Sequence, residues 1–486
     1  MRKYTTIILL LWFMHLPAVT IYPKHEVRAA WLTTIYGLDW PSIHAGGLRA
    51  QKRQQIELCR LLDELKAANF NTILFQTRLR GDVIYPSEIE PFNETITGKS
   101  ALTPTYDPLA FAIEECHKRG MEIHAWMVTI PIGTQKHVQS LGSSSLPRRN
   151  PLLCKLYQQE WYLNPGQPEV KTYLASLVNE VVSRYDVDGI HFDYIRYPDH
   201  PENFPDEATY RSYSRGESLS TWRRNNITVI VRTLYNEVKA LKPWVKVSSS
   251  PLGKFSDTFR YSSHGWNAYY TVYQNAQAWL REGIQDMLFP MMYFSGNNFF
   301  PFALDWKEKS YGRYVVPGLG IYFLDPKEKD WSLDEIQRQI YFTRSTQLAG
   351  QAYYRAGFIQ ANIKRLTDEL TTNFYAYPAL LPAFSWLDKV PPTSPTSPIK
   401  IDRGESIFLS WKPSTDNDLR IAPYYTVYAS DSYPVDTDRA ENIVETRISN
   451  NNYTYTCRYQ WEQKTYFAIT ASDRYGNESK ALQIEN

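Results

Sequence analysis

Apolar and polar positions alternate in two rhythms along this chain. Short apolar runs, four to eight residues long, recur between longer stretches with helical spacing. The runs read as strands: Val27–Thr34, Asn71–Thr77, Met121–Val128, Asp188–Ile195, Val245–Ser250, Asp286–Tyr293, Tyr314–Tyr322 and Leu348–Arg355. Between them, Gln51–Asn69 sets Ile56, Leu58, Leu61, Leu62 and Leu65 on one helical face. Asp107–Arg119 reads as a helix capped by Asp107 ahead of Pro108. Further helices are expected at 169–185, 219–241, 273–282, 333–346 and 359–371, and the Ser/Pro/Gly-rich stretch 131–153 reads as loop. Eight buried strands alternating with helices predict an α/β fold, a (β/α)8 TIM barrel over residues 24–389. An open doubly wound sheet is the alternative, but no Gly-rich turn follows the first strand.

The rhythm changes after residues 390–398, VPPTSPTSP, which read as a Pro/Thr/Ser linker. Residues 399–486 carry short strands at 407–411, 424–429, 453–459 and 465–471. They predict a small all-β sandwich that resembles an immunoglobulin-like or fibronectin type III module, with Trp411 as its core tryptophan. Few core contacts are expected to cross the linker. At the other end, residues 1–20 have a basic start and an apolar stretch from Thr6 to Val19, the pattern of a secretory signal peptide. The expectation is an exported protein, periplasmic or at the cell surface, with no integral membrane segment after signal removal.

Composition adds a little. The chain has 486 residues and a net charge of +2, which gives no argument for nucleic acid as a partner. Aromatic residues reach 15%, with 14 Trp and 36 Tyr; flat apolar faces suit sugar rings, although cores and interfaces use them too. Four cysteines, Cys59, Cys116, Cys154 and Cys457, show no metal-ligand spacing, and the sequence does not decide whether any pair oxidises.

The candidate chemistry lies where the strands end, since barrel sites are built at that face. The fourth strand, GIHFD, runs into Tyr194-Ile195-Arg196-Tyr197. Alternation sets His191 and Asp193 on one face, pointing inward, with Asp193 nearer the carboxyl end. Other strand ends bring Trp31, Gln76, Arg78, Asp82, His124, Trp126, Arg196, Ser248, Ser250, Tyr293, Tyr322 and Tyr353 or Tyr354. Arg, His, carboxylates and aromatics converging on one rim suit a polysaccharide site. Glycoside hydrolysis generally uses two carboxyls. Asp193 is the first; Asp82 is the candidate second, against an ion pair with its neighbouring arginines. Arg78 and His191 would orient Asp193 and bind sugar hydroxyls, Trp126 and Tyr293 would stack, and His124, Arg196, Trp31 and Tyr322 would also bind substrate. No cofactor and no metal are expected, and no Gly-x-Ser-x-Gly elbow, Walker loop or His-Glu-x-x-His motif is present.

The stretches VRAAWLTT, QTRLRGDVIYPSEIEPF, YDPLAFAIEECHKRGMEIHAW, VDGIHFDYIRYP, VKVSSSPLGK and DMLFPMMYF stand in the order of a known family. Across most of residues 28–354 the chain resembles glycosyl hydrolase-like family 10, bacterial barrel proteins distantly similar to amylase-type hydrolases. The resemblance implies a TIM barrel, a glycosidase and a catalytic Asp at position 193. The chain departs from the amylase pattern at His191, where an Arg is usual, and at Ser248-Ser249-Ser250, where a Glu follows the fifth strand. Some relatives act on peptidoglycan glycan strands, which implies cell-wall glycan as substrate. Two alternatives stay open: a glycan-binding barrel without turnover, and a polysaccharide deacetylase with a metal at His191 and Asp193.

Overall fold

The computed structural model describes residues 22–456 and 464–485. The expected signal segment lies outside the described residues, as does Cys457. Eight parallel segments form the main sheet: β1 (Val27–Leu32), β2 (Thr72–Arg78), β3 (Glu122–Val128), β4 (Gly189–Asp193), β5 (Lys246–Ser249), β6 (Met287–Leu288), β7 in two halves (Tyr314–Val315 and Gly318–Leu319) and β8 (Gly350–Tyr354). Each pairs with the next, and β8 returns to β1. The first half of β7 pairs with β6 and the second half with β8, so the ring closes through it. Pro317 explains the break. It has no N–H to give the ladder, yet its carbonyl still accepts from Ala352 N at 3.0 Å.

Strand alternation sorts the side chains into two layers. Ile73, Phe75, Ile123, Ala125, Ile190, Phe192 and Val247 face outward and pack under the helices. Ala29, Trp31, Leu74, Trp126, Phe289 and Ala352 face inward and fill the lumen. His191 and Asp193 therefore point inward, as alternation predicts. The helix Leu48–Ala67 buries Leu58, Leu61, Leu62 and Leu65, and Asp107 caps Pro108–Lys118 by accepting from Leu109 N and Ala110 N.

The stretch expected as a loop after β3 is structured. Pro131–Thr134, Cys154–Tyr157 and Glu160–Leu163 form a three-stranded antiparallel sheet, with the helix Gln135–Leu141 between its first two strands. The single helix expected at 359–371 is instead broken into Ala356–Gln360, a tight turn and Leu366–Glu369.

The C-terminal part is a two-sheet β-sandwich. One sheet holds Thr396–Asp402, Ser406–Lys412 and Asn452–Thr456; the other holds Ile443–Ile448, Tyr424–Ser430, Tyr466–Ser472 and Leu482–Ile484. Its core gathers Ile407, Leu409, Trp411, Val427, Phe467 and Ile469. The first strand begins inside the stretch expected to be linker.

The sandwich does not hang free, contrary to the sequence expectation. It closes the amino-terminal end of the barrel. Arg447 pairs with Glu122 at 2.8 Å and Asp188 at 2.7 Å, at the starts of β3 and β4. Arg474 reaches Asp188 at 3.1 Å and Asp186 at 2.6 Å. Lys66 pairs with Glu445 at 2.7 Å, and Lys24 with Glu478 at 2.7 Å. Phe384, on the segment leading to the sandwich, packs into the lumen cluster from below.

Candidate active site at the carboxyl rim

Asp193 is the last residue of β4, and only 5% of its surface is exposed. Its Oδ1 accepts from Ser250 Oγ and from the Tyr194 backbone N–H, both at 2.8 Å. Its Oδ2 accepts from Trp126 Nε1 at 3.1 Å. Three adjacent strands thus contribute: β3 brings the indole, β4 the carboxyl, and the turn after β5 the hydroxyl. Indole and amide N–H groups can only donate, so the cradle is built for a carboxylate oxygen. Burial works the other way and is the largest effect, raising the Asp193 pKa above its ordinary value. The hydrogen bonds and the charge of Arg196 offset part of that rise. A carboxyl poised above the usual range holds its proton closer to neutral pH, which is what a general acid needs.

Below Asp193 sits His191, fully buried. Its Nε2 accepts from Trp31 Nε1 at 3.2 Å, which leaves the proton on Nδ1, 3.0 Å from Ser248 Oγ. Burial, then the neighbouring His124, push its pKa well down, so the ring is neutral. His191 therefore fixes the Trp31 indole and the lumen packing rather than meeting a sugar, as the sequence had led us to expect. His124 lies deeper still, third in β3, with its Nε2 3.3 Å from Glu122 at the barrel floor. It is too deep to bind substrate.

Two other expected residues are placed elsewhere. Arg78 was expected beside Asp193. A bulge between β2 and β3 lets Gln76 face Trp126 but shifts Arg78 to face Met127. A one-residue slip turns a side chain to the other face. Arg78 is sealed, bidentate to Glu90 at 2.7 and 2.6 Å, and donates to the Thr129 carbonyl at 2.9 Å. Asp82, the candidate second carboxyl, is fully buried. It accepts from Arg80 N at 3.0 Å and Asn93 Nδ2 at 2.6 Å, and lies 3.2 Å from His137 Nε2. It anchors the loop after β2 and presents no free oxygen to a substrate.

The aromatic rim is present. Tyr293, Tyr322 and Tyr354 form a triangle with ring centroids 5.4, 5.8 and 5.9 Å apart. Trp31 stands 6.1 Å from Tyr354. Burial raises the phenol pKa values of Tyr293 and Tyr354, and the negative charge of Asp193 adds to the rise in both. Of the tyrosine pair at the end of β8, Tyr354 faces in. Tyr353 faces out, bonded to Tyr375 at 2.8 Å. Arg196 is held by Asp199 at 2.7 Å and lies over the Tyr194 ring at 4.6 Å. Sequence reasoning gave no role to Tyr194, the residue after Asp193, and offered Arg80 only as an ion-pair partner for Asp82; the Arg80 guanidinium instead lies 5.6 Å from the Tyr194 ring. Tyr194 has φ 49, so the alternation used to read β4 stops one residue before it.

The family model for glycosyl hydrolase-like 10 matches residues 26–323. A curated relative, the glycosyl hydrolase YngK of Bacillus subtilis, is 30% identical over 479 residues, covering 94% of this chain and 92% of that protein. The chain belongs to the glycosyl hydrolase-like 10 family. As a member of it, the protein is a glycoside hydrolase. The glycosyl hydrolase DigH of Escherichia coli strain K12 is 31% identical over 362 residues, 70% of this chain and 76% of that protein. Among solved structures, the PgaB (BpsB) glycoside hydrolase domain of Bordetella bronchiseptica covers 73% of this chain and 99% of its own, at 14% identity and a TM-score of 0.49. In this glycosyl hydrolase-like 10 protein the matched region runs from just before β1 to just beyond β7. Asp193, Trp126, Ser250 and Tyr293 fall inside it, and Tyr354 outside.

Proposed function

We propose that this glycoside hydrolase is exported and cleaves a polysaccharide, the glycan strands of peptidoglycan being the substrate, with Asp193 as a catalytic carboxyl. The observation that carries the reading is the cradle of Asp193: a carboxyl raised by burial, held by Trp126, Ser250 and the Tyr194 N–H, under a rim of tyrosines. A sugar stacked on Tyr293 brings its glycosidic oxygen to Asp193, which gives that oxygen its proton as the bond to the anomeric carbon breaks; water adds to the anomeric carbon and its proton returns to Asp193. Export is supported by the basic and apolar start of the chain. The cell-wall substrate is supported by the family resemblance. The sandwich, with its first, second and fifth strands facing the fourth, third, sixth and seventh, is read as a fibronectin type III-like module. The test is to incubate the full chain with purified glycans, including peptide-free peptidoglycan strands, and read products by mass spectrometry. Release of shorter strands by the native protein but not by Asp193→Asn supports the reading; no release from any glycan sinks it.

One observation favours a second reading, a glycan-binding barrel without turnover. Besides Asp82, Asp39 at the rim is also tied up, accepting from Thr33 N at 2.8 Å, Thr33 Oγ at 2.7 Å, Gly357 N at 2.8 Å and Arg355. The metal-dependent deacetylase finds less support, because both His191 nitrogens are already engaged.

A further inference from the structure

The outer face of the first barrel helix carries charge that the fold does not use. The helix Leu48–Ala67 buries Gln51, Gln54, Leu58, Leu61, Leu62 and Leu65 on one side. At about 100° per residue, Leu48, Arg49, Lys52, Arg53, Ile56 and Arg60 fall within an arc of about 140° on the opposite side. All six are exposed. Four are cations, two are aliphatic, and no carboxylate stands among them. Glu57, one step round, is turned back to accept from Ser42 N at 3.0 Å. Arg60 pairs with Glu64 at 3.0 Å. The side chains of Arg49, Lys52 and Arg53 have no ion pair or hydrogen bond among the described residues. The helix Leu219–Leu241 differs. It is also basic, yet Arg223, Arg232 and Lys239 each meet a carboxylate, on Asp206, Glu282 and Asp286. The patch continues onto the loop after β2. His44 Nδ1 lies 3.1 Å from the Thr95 carbonyl, Ala45 N donates to the Ile96 carbonyl at 2.6 Å, and Gly98 packs against the His44 ring. Thr105 Oγ1 donates to Gln51 Oε1 at 2.5 Å. These contacts draw Lys99 and Leu102 towards the start of the helix. Leu48 is 78% exposed, Ile56 58% and Leu102 48%.

A single exposed aliphatic residue is ordinary, and so is a single exposed cation. Interleaved on one unpartnered face, they match a surface that is anionic at its headgroups and apolar just beneath. A soluble acidic polymer would neutralise Arg49, Lys52 and Arg53 but leave Leu48, Ile56 and Leu102 in water. A bilayer with anionic lipids takes both. Its phosphates meet the guanidinium and ammonium groups, and the aliphatic side chains enter the headgroup boundary. We propose that this face, Leu48 to Arg60 with Lys99 and Leu102, docks the protein on an anionic phospholipid membrane. The helix begins at the carboxyl rim, where β1 ends, and runs towards the floor. Docking along it lays the barrel on its side, with the rim beside the membrane and open to solvent. The surface is separate from Asp193 and does not depend on how that carboxyl acts.

The test measures partition of the full chain onto sedimented vesicles, made of phosphatidylcholine alone or of an equal mixture with phosphatidylglycerol. Every variant keeps the apolar start of the chain, so any affinity of that segment for lipid is common to all. The native protein should prefer the anionic vesicles. Arg49→Gln/Lys52→Gln/Arg53→Gln should weaken that binding about a hundredfold, since each basic residue near such a surface contributes a factor of about five. Leu48→Gln/Ile56→Gln should weaken it with every charge in place. Hydrogen exchange reads the face itself: amides of residues 42–53 should slow when anionic vesicles are added. Hydrolysis of a soluble glycan should be the same in both variants as in the native protein. No preference for anionic vesicles, or a preference unchanged in the charge variant, would overturn the proposal. So would a native protein that ignores vesicles but binds the soluble polyanion heparin, with that binding lost in the charge variant and kept in Leu48→Gln/Ile56→Gln; the occupant would then be an acidic polymer.

Discussion

At the scale of single residues, the rim is a contest over one carboxyl. Burial favours the protonated form of Asp193, while Ser250, the Tyr194 N–H, Arg196 and Trp126 favour the ionised one. Ser250 is the largest of the four opposing influences, so Ser250→Ala should raise the Asp193 pKa further. If the proton on Asp193 is the one given to the leaving oxygen, the alkaline limb of the kcat/KM profile follows that pKa and moves to higher pH. An acid limb that moves to higher pH, with the alkaline limb unmoved, would show that Asp193 works ionised. Asp193→Asn keeps the shape and costs about 1 kcal/mol through one misplaced hydrogen bond. Turnover should nevertheless fall by roughly three or more powers of ten, because the lost group acts in the transition state. Circular dichroism and a melting curve verify the fold of that variant. Near-native turnover would take Asp193 out of the mechanism.

At the scale of elements, local pattern and non-local pairing separate what could be read in advance from what could not. The helix 219–241 and the Asp107 cap were legible because both are written in contiguous residues. The face of His191 and Asp193 was legible because alternation holds over five residues of β4. Arg78 was misplaced because a bulge is set by the partner strand, not by the sequence of β2. The small sheet after β3 was missed for a related reason. Pro131–Thr134 pairs with Glu160–Leu163, about thirty residues on, and the intervening Ser, Gly and Pro residues read as loop. The bulge also makes a prediction. It buries Arg78 against Glu90, whose other bond is to Tyr173 OH at 2.5 Å. Glu90→Gln leaves a buried guanidinium without its counter-charge, which costs about 3–5 kcal/mol. The melting temperature should fall clearly, by several degrees in a domain of this size. An unchanged melting temperature would mean that water reaches Arg78.

At the scale of the whole molecule, the two ends of the barrel do different jobs. The carboxyl rim carries the candidate chemistry, and the floor is sealed by the sandwich. Arg447 is the main bolt, set between Glu122 and Asp188, with Lys246 on the far side of Glu122 and His117 2.8 Å from Asp188. Despite the burial that opposes it, the surrounding cations hold Glu122 down to about 2 and Asp188 well below its ordinary value. Both folded-state pKa values are lowered. Their contribution is therefore fully present above the unfolded values of 4.5 and 3.8, and is lost as pH falls towards the folded ones. Removing the chain after Pro391 should not leave a stable barrel, since it strips both arginines from buried carboxylates. Arg447→Met asks the same question with the sandwich in place. At pH 7 it should destabilise the full chain by about 3–5 kcal/mol, the cost of leaving buried charge uncompensated. As pH falls from 5 towards 2 the gap should narrow, because Glu122 and Asp188 take up protons more readily once Arg447 is gone. Thermal melts of both proteins across that range measure it. A gap that stays constant with pH would mean that Arg447 acts through packing alone. A truncated barrel as stable as the full chain would mean that the sandwich only rests against a floor already complete.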